Sequence, residues 1–446
     1  MNTLYDSMMT AGQPRNGVTQ SAFTLSLLWL LLALSSFVLI EPAPYDVLGS
    51  GLLVLFFIRG LRIAPGAGAP MFWLFTFVLA NIIAAMCAPD PVQSLRSLLI
   101  RFYMVLSWLL FTCLIYENPR RVYDIIWSGY IFAAIIAVLF GVLELLKILH
   151  IPATIKGPGN VFVVRYENRM AGPFKDPNVF GPYLVPVALY AVDKIIAGSG
   201  AKRLVMGALF LWVGLGIFGG FSRGSWVNLG VSFMVVMALQ FYTARTSFQY
   251  VRLFVLGGIV LGAAALTVSF AISNASIGET FTHRAHLVQY YDDSRFRTQL
   301  ETLKFAFANP IGIGPGLTAG ITGRCFAPDW ECSPHNLFIH VLGESGWFGA
   351  VAFYVFLAMT LWRGFKFCRQ PTAIQNAYIT VFACTIGTLT QSLFIDSTHW
   401  RHMYLLFAML WGPVLAWKTD CAAFASLRRS SSMAFPNHRS SPDGDS

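Results

Sequence analysis

Three short runs carry the residue types that handle anions and protons. Phe221-Ser222-Arg223-Gly224-Ser225-Trp226 reads as a tight turn with one guanidinium among small residues. Asp292-Asp293-Ser294-Arg295-Phe296-Arg297 places two more at the start of a helical segment. Ser333-Pro334-His335-Asn336 opens an apolar run that continues to Glu344-Ser345-Gly346-Trp347-Phe348-Gly349. Guanidiniums stay charged and grip oxyanions through a planar fork of donors. An imidazole exchanges a proton near neutral pH. The chemistry on offer is therefore anion capture by Arg223, Arg295 and Arg297, with Ser222 as a small donor, and proton transfer at His335 beside Asn336.

Each run also has a plainer reading. Arg223 would snorkel from a hairpin between apolar helices, Asp292 and Asp293 would pair with the two nearby arginines, and His335 would be an interfacial polar residue. The second run holds most physical information. Phe296, Leu300, Leu303 and Phe307 recur at helical spacing, Ser294 suits an N-cap, and Pro310 stops the helix. Such a helix lies on a membrane surface, apolar side down. Cations in its first turn oppose the macrodipole and become well placed once an anion docks there. Beyond it, Gly312-Ile313-Gly314-Pro315-Gly316 is a flexible turn whose glycines, Gly314 among them, are a weak phosphate-cradle signal without a Walker-type lysine. Glu344 is four residues from His340, and that pair is expected to satisfy itself inside the bundle.

The elements that must position these residues follow from composition. Of 446 residues, 56% are apolar, 15% aromatic and only 12% charged. Soluble domains average about a quarter charged, so a water-facing surface of this size is excluded and an all-α polytopic membrane bundle remains. A crossing helix needs about 20 apolar residues. Twelve runs approach this, at 21–40, 45–58, 70–87, 97–116, 122–146, 179–197, 203–221, 225–242, 252–272, 336–361, 373–395 and 402–417. The second is short, and the sixth carries Pro182 and Pro186, so either is expected to be tilted or re-entrant. The first reads as a retained anchor.

Arg59, Arg62, Arg120, Arg121, Lys202, Arg203, Arg363, Lys366 and Arg369 fall on one side of the membrane, which the positive-inside rule makes cytoplasmic. Both termini join that side, as the tails 1–20 and 418–446, and the last stretch from about Ser426 is expected to be disordered. The two long connections, 147–178 and 273–335, share the opposite face with all three runs. Long loops in an otherwise short-looped chain usually carry function. Cys325 and Cys332 lie there too, as a bridge or as two free thiols. His283 with His286, and His399 with His402, lack a recognised metal-ligand spacing, so no metal is expected. Arg96 and Arg101, at the mouth of the fourth span, read as ordinary interfacial anchors, with a lipid phosphate as the alternative.

Taken together the motifs resemble the O-antigen ligase and polymerase superfamily over about residues 170–360. Arg223 lies in a Ser-Arg-Gly turn, and Arg295 precedes Asn309-Pro310-Ile311-Gly312-Ile313-Gly314. His335-Asn336 is followed by Glu-x-Gly-x-x-Gly from Glu344, and Pro173-Phe174-Lys175-Asp176-Pro177-Asn178 fits the family's habit of a Phe-x-x-Pro-Asn segment. The resemblance implies a GT-C-like, metal-independent, inverting glycosyltransferase in the bacterial inner membrane, without a cofactor, its site facing the periplasm. Its donor would be a glycan on undecaprenyl diphosphate. Its acceptor would be lipid A–core for a ligase, or a carrier-linked glycan for an O-antigen or exopolysaccharide polymerase. Arg223 and Arg295 would hold the diphosphate and His335 would assist the acceptor hydroxyl; Arg297 has no counterpart in the family's motifs and is read as a supporting residue from its place beside Arg295. From another class, a polysaccharide transporter or flippase would place charges at mid-span, where this sequence has few.

Overall fold

The computed structural model describes residues 21–40, 42–149, 169–244, 292–322 and 333–433, with two short strands between 154 and 164 and scattered positions from 246 to 273. The helices are α1 Ala22–Ala33, α2 Pro44–Ile58, α3 Gly68–Met86, α4 Pro91–Glu117, α5 Pro119–Leu145, α6 Pro177–Ala197, α7 Gly200–Gly219, α8 Arg223–Thr243, α9 Asp292–Ala308, α10 Ala319–Thr322, α11 Leu337–Cys368, α12 Gln375–Gln391 and α13 Arg401–Met433. Between α5 and α6, β1 (Thr154–Lys156) pairs antiparallel with β2 (Phe162–Val164).

Eleven of the twelve apolar runs coincide with helices, and the run 252–272 lies almost entirely outside the described residues. Among the described residues, seven helices are long and apolar enough to cross a membrane: α3 to α8 and α11. The chain is a polytopic membrane helical bundle. Among the shorter helices, α1 keeps 12 residues of its predicted run. The sixth run forms one helix of 21 residues despite Pro182 and Pro186. At the C-terminal end, α13 continues to Met433, because its sequence offers no proline or glycine between Pro413 and Pro436 to stop it.

Helix starts are written locally. Asp90, Asn118 and Asp176 each precede a proline at N1, and each side chain accepts a backbone N–H of the first turn. Packing then relies on small residues, since lipid tails are as apolar as leucine and only close approach gives neighbouring helices an advantage. Gly216 on α7 admits Leu184 of α6, Gly349 on α11 admits Ala80 of α3, and Gly412 on α13 admits Ile115 of α4. Large side chains such as Phe72, Leu79 and Leu211 remain exposed on the outer faces, as lipid contact requires.

Candidate functional site

The helix α9 sorts its two arginines. Its inward stripe is Thr298, Thr302 and Ala306, all buried, with Thr302 packed on Gly343 of α11. Arg295 and Gln299 lie on that stripe at helical spacing. Arg295 is half-buried, while Arg297 points away, 72% exposed, with its Nε 3.2 Å from Glu301. Phe296, Leu300 and Phe307 are exposed on a third face, the apolar side expected to meet the bilayer. Ser294, expected as the cap, lies inside the first turn, because the helix begins at Asp292.

Gln299 ties that stripe to His335. One turn after Arg295, its Nε2 donates to the Pro334 carbonyl at 2.9 Å. His335 is held at φ 44°, a left-handed conformation that costs about 1 kcal/mol or more in a non-glycine residue. Its neighbours fix it there. Asn336 Oδ1 caps α11 by accepting the Phe338 and Ile339 N–H groups, its Nδ2 donates to the Leu393 carbonyl at 3.0 Å, and the Leu337 N–H donates to Ser392 at 2.8 Å. Asn336 thus anchors the seat of His335, and its polar atoms are engaged in that task.

The end of α12 also reaches the first run, Phe221–Trp226. Gln391, next to Ser392, accepts from Asn228 Nδ2 at 3.0 Å, and Gly224 lies against its side chain. Arg223 opens α8 as its first residue, half-buried, after a turn in which Phe221 takes φ 45° and Ser222 is buried at the N-cap. Two of the three non-glycine residues with positive φ among the described residues are therefore Phe221 and His335, each at a candidate site segment. Arg223 and Arg295 both occupy the first turns of their helices, the end that favours anions. Residues 391–393 are the hub: one side holds the α8 start and the other holds the α11 start.

A residue that sequence reading passed over supports this corner. Arg169 is 7% exposed, and it donates from Nε to the Gly220 carbonyl at 2.9 Å and from Nη2 to Asn178 at 3.1 Å. It binds the Phe221 turn to the start of α6. Its signal in the sequence was only its place just before the Pro173–Asn178 segment.

The glycine turn is structural. Gly312, Gly314 and Gly316 all have positive φ, and Gly346 breaks α11 at φ 63°. The Ile313 and Gly314 N–H groups donate to the Gly343 and Glu344 carbonyls at 3.0 and 3.1 Å, and the Trp347 N–H to Pro310 at 2.9 Å. The turn thus plugs the kink in α11, and the Gly314 N–H is committed to a carbonyl.

Arg101 is neither an interfacial anchor nor a lipid-phosphate ligand. It is 4% exposed and paired with Glu344, with further donations to Asn81 and, at 3.1 Å, to Ser345. The reason is Glu344, wholly buried, which requires a cation that α4 supplies. Glu344 also meets His340 at 3.2 Å, as expected. Asp396, in the loop after α12, lies 3.5 Å from His340. Burial pushes its carboxyl up, but the His340 and His399 imidazoles and the Thr398 N–H outweigh burial and hold it below the usual carboxylate range. Among the described residues, no group of three His, Cys, Asp or Glu side chains could hold a metal ion. His283, His286, Cys325 and Cys332 lie outside the described residues.

The strained, basic and imidazole-bearing segments of this helical membrane bundle are thus tied to one helix end, that of α12. Residues 208–354, which include Arg223, Arg295, His335 and Glu344, match the family described as O-Antigen ligase. No curated protein matches the chain.

Proposed function

We propose that this protein is an inverting glycosyltransferase that moves a glycan from undecaprenyl diphosphate to an acceptor hydroxyl at the periplasmic face of a bacterial inner membrane. The observation that carries the reading is the hub at 391–393, which ties the Arg223 turn to the His335 seat while Gln299 ties His335 to the Arg295 stripe. In the reaction the acceptor oxygen attacks the anomeric carbon, the glycosidic C–O bond to the diphosphate breaks, and the diphosphate keeps the electron pair. Arg223 and Arg295 stabilise the charge that develops there, helped by first-turn N–H groups. His335 takes the proton of the attacking hydroxyl.

The family description names a ligase, and the acceptor in this reading is lipid A–core. The test uses purified protein, a lipid-diphosphate-linked glycan and lipid A–core. Glycosylated core is the expected product, and its absence with active donor and acceptor overturns the reading. In a deletion strain, bare core supports a ligase, whereas core bearing single repeats replaces it with a polymerase.

A further inference from the structure

Among the described residues, a dense set of ionisable groups follows His335, with Arg101, His340 and Glu344 buried and Asp396 half-buried. His340 Nε2 stands 3.2 Å from Glu344 Oε2 and 3.5 Å from Asp396 Oδ2, and Nδ1 stands 3.3 Å from Thr318 Oγ1. Counting protons fixes the charge of the ring. Thr318 has a single hydroxyl hydrogen, and it is donated to Glu344 Oε1 in a short contact. Toward His340 that oxygen can only accept, so Nδ1 bears a hydrogen. Nε2 faces carboxylate oxygens, which also only accept, so it bears the other.

Both carboxyls are themselves surrounded by donors. Glu344 accepts from Arg101 and from the Thr318 N–H at 3.2 Å, and Asp396 accepts from the Thr398 N–H at 2.9 Å and the Thr398 hydroxyl at 3.1 Å. Neither needs a proton of its own. The remaining charged neighbours do not alter the sum: His399 Nδ1 is 3.7 Å from Asp396 on a ring that is 59% exposed, and Arg401 is already neutralised by Asp46.

We infer that His340 is a buried imidazolium and a positioning residue for the transfer site, closing a charge-neutral quartet with Arg101, Glu344 and Asp396 that holds the seat of His335. Two cations and two anions balance, where a buried odd charge would be costly. The quartet links α4, the start of α11 and the 392–400 loop, and Thr318, just beyond the glycine turn, is bonded to its Glu344. That loop also holds Asn336 and Leu337 through Leu393 and Ser392. His340 therefore acts on the site through its neighbours. The positioning half rests on the proposed transfer reading, whereas the charge state stands without it.

The test is a charge-balancing cycle. His340→Gln leaves the quartet at −1 and Asp396→Asn leaves it at +1, while the double variant is neutral again. Each single variant is expected to melt lower in detergent and to lose about tenfold in turnover at unchanged donor KM, with the double variant back within about threefold of wild type. A neutral His340 predicts the opposite: wild type already at −1, Asp396→Asn stabilising, and no rescue. Nitrogen-15 spectra of histidine-labelled wild-type protein provide the check should a variant fail to fold, with His340 assigned by its loss in His340→Gln or in His340→Asn, whichever folds. Two protonated ring nitrogens at pH 7 are expected, and a neutral tautomer overturns the assignment. A melting cycle that holds while both single variants keep wild-type turnover overturns the positioning role. Wild-type protein that transfers nothing refutes the glycosyltransferase reading, with the spectra and the melting cycle still deciding the charge.

Discussion

Gly312 and Glu344 are backed so closely that a Cβ on the glycine would stand 2.5 Å from the glutamate carbonyl oxygen. Gly312 also has φ 88°, so any L side chain there is both strained and clashing. The contact lets the 309–316 turn seat itself in the kink of α11, directly above the buried Glu344 carboxylate.

Replacing Gly312 with alanine is accordingly expected to cost about 3 kcal/mol or more, through clash and left-handed strain together. Thermal melting in detergent reads this directly. Alanine at Gly320, where the nearest atom to a new Cβ is an Ile313 methyl at 3.5 Å, is expected to leave the melting temperature within a degree or two, on the order of 0.5 kcal/mol.

The two arginines of α9 give the sharpest contrast. Arg295→Ala is expected to lower transfer by about a hundredfold or more, the loss typical of one preorganised charge stabiliser. Arg297→Ala removes an exposed pair with Glu301 and is expected to change stability by only about 0.5 kcal/mol, with transfer within about twofold. Rates with a lipid-linked donor, in membranes carrying equal amounts of each variant, decide it. Equal losses in both variants would refute the sorting of the two side chains by helix face.

The sequence made much of this legible, and the boundary has physical causes. Hydropathy located the helices because a bilayer demands long apolar runs, and the stripe Phe296, Leu300, Leu303 and Phe307 gave α9 its lipid side. The same wheel sets Arg295 and Arg297 on opposite flanks of that stripe, and the flank that turns inward is written in Thr298, Thr302 and Ala306, small residues with a weak signal. Arg101 was misread because its partner lies 243 positions away, and one sequence shows nothing of such a pairing. The glycine turn looked like a ligand cradle because positive φ serves equally to approach a phosphate or a helix kink. Only the kink at Gly346, itself a tertiary feature, tells the two apart.

Acid should act through Asp396. Its carboxyl is held below the usual carboxylate range, since the imidazoles and the Thr398 N–H outweigh burial. The stability it contributes is therefore present above the unfolded value near pH 4 and is lost as pH falls through the lower folded value. Melting curves of wild type and Asp396→Asn are expected to differ at pH 7 and to converge as pH falls through and below the lowered folded value. A gap that stays constant over that range would mean that Asp396 contributes nothing through its charge.

Asn336 carries two duties that one atom each can separate. Its Oδ1 caps α11, and its Nδ2 ties the helix start to the Leu393 carbonyl. Asn336→Asp keeps the cap, since a carboxylate accepts the same N–H groups, but it cannot donate to Leu393 and sets a charge against that carbonyl. Asn336→Ala loses both, and the cap alone is worth about 1 kcal/mol. Alanine should therefore melt lower than aspartate, while both variants free His335 from its left-handed seat and lose transfer to a similar degree. Transfer retained in the aspartate variant would show that the cap alone, without the tether to the 391–393 hub, is enough to hold the imidazole in place.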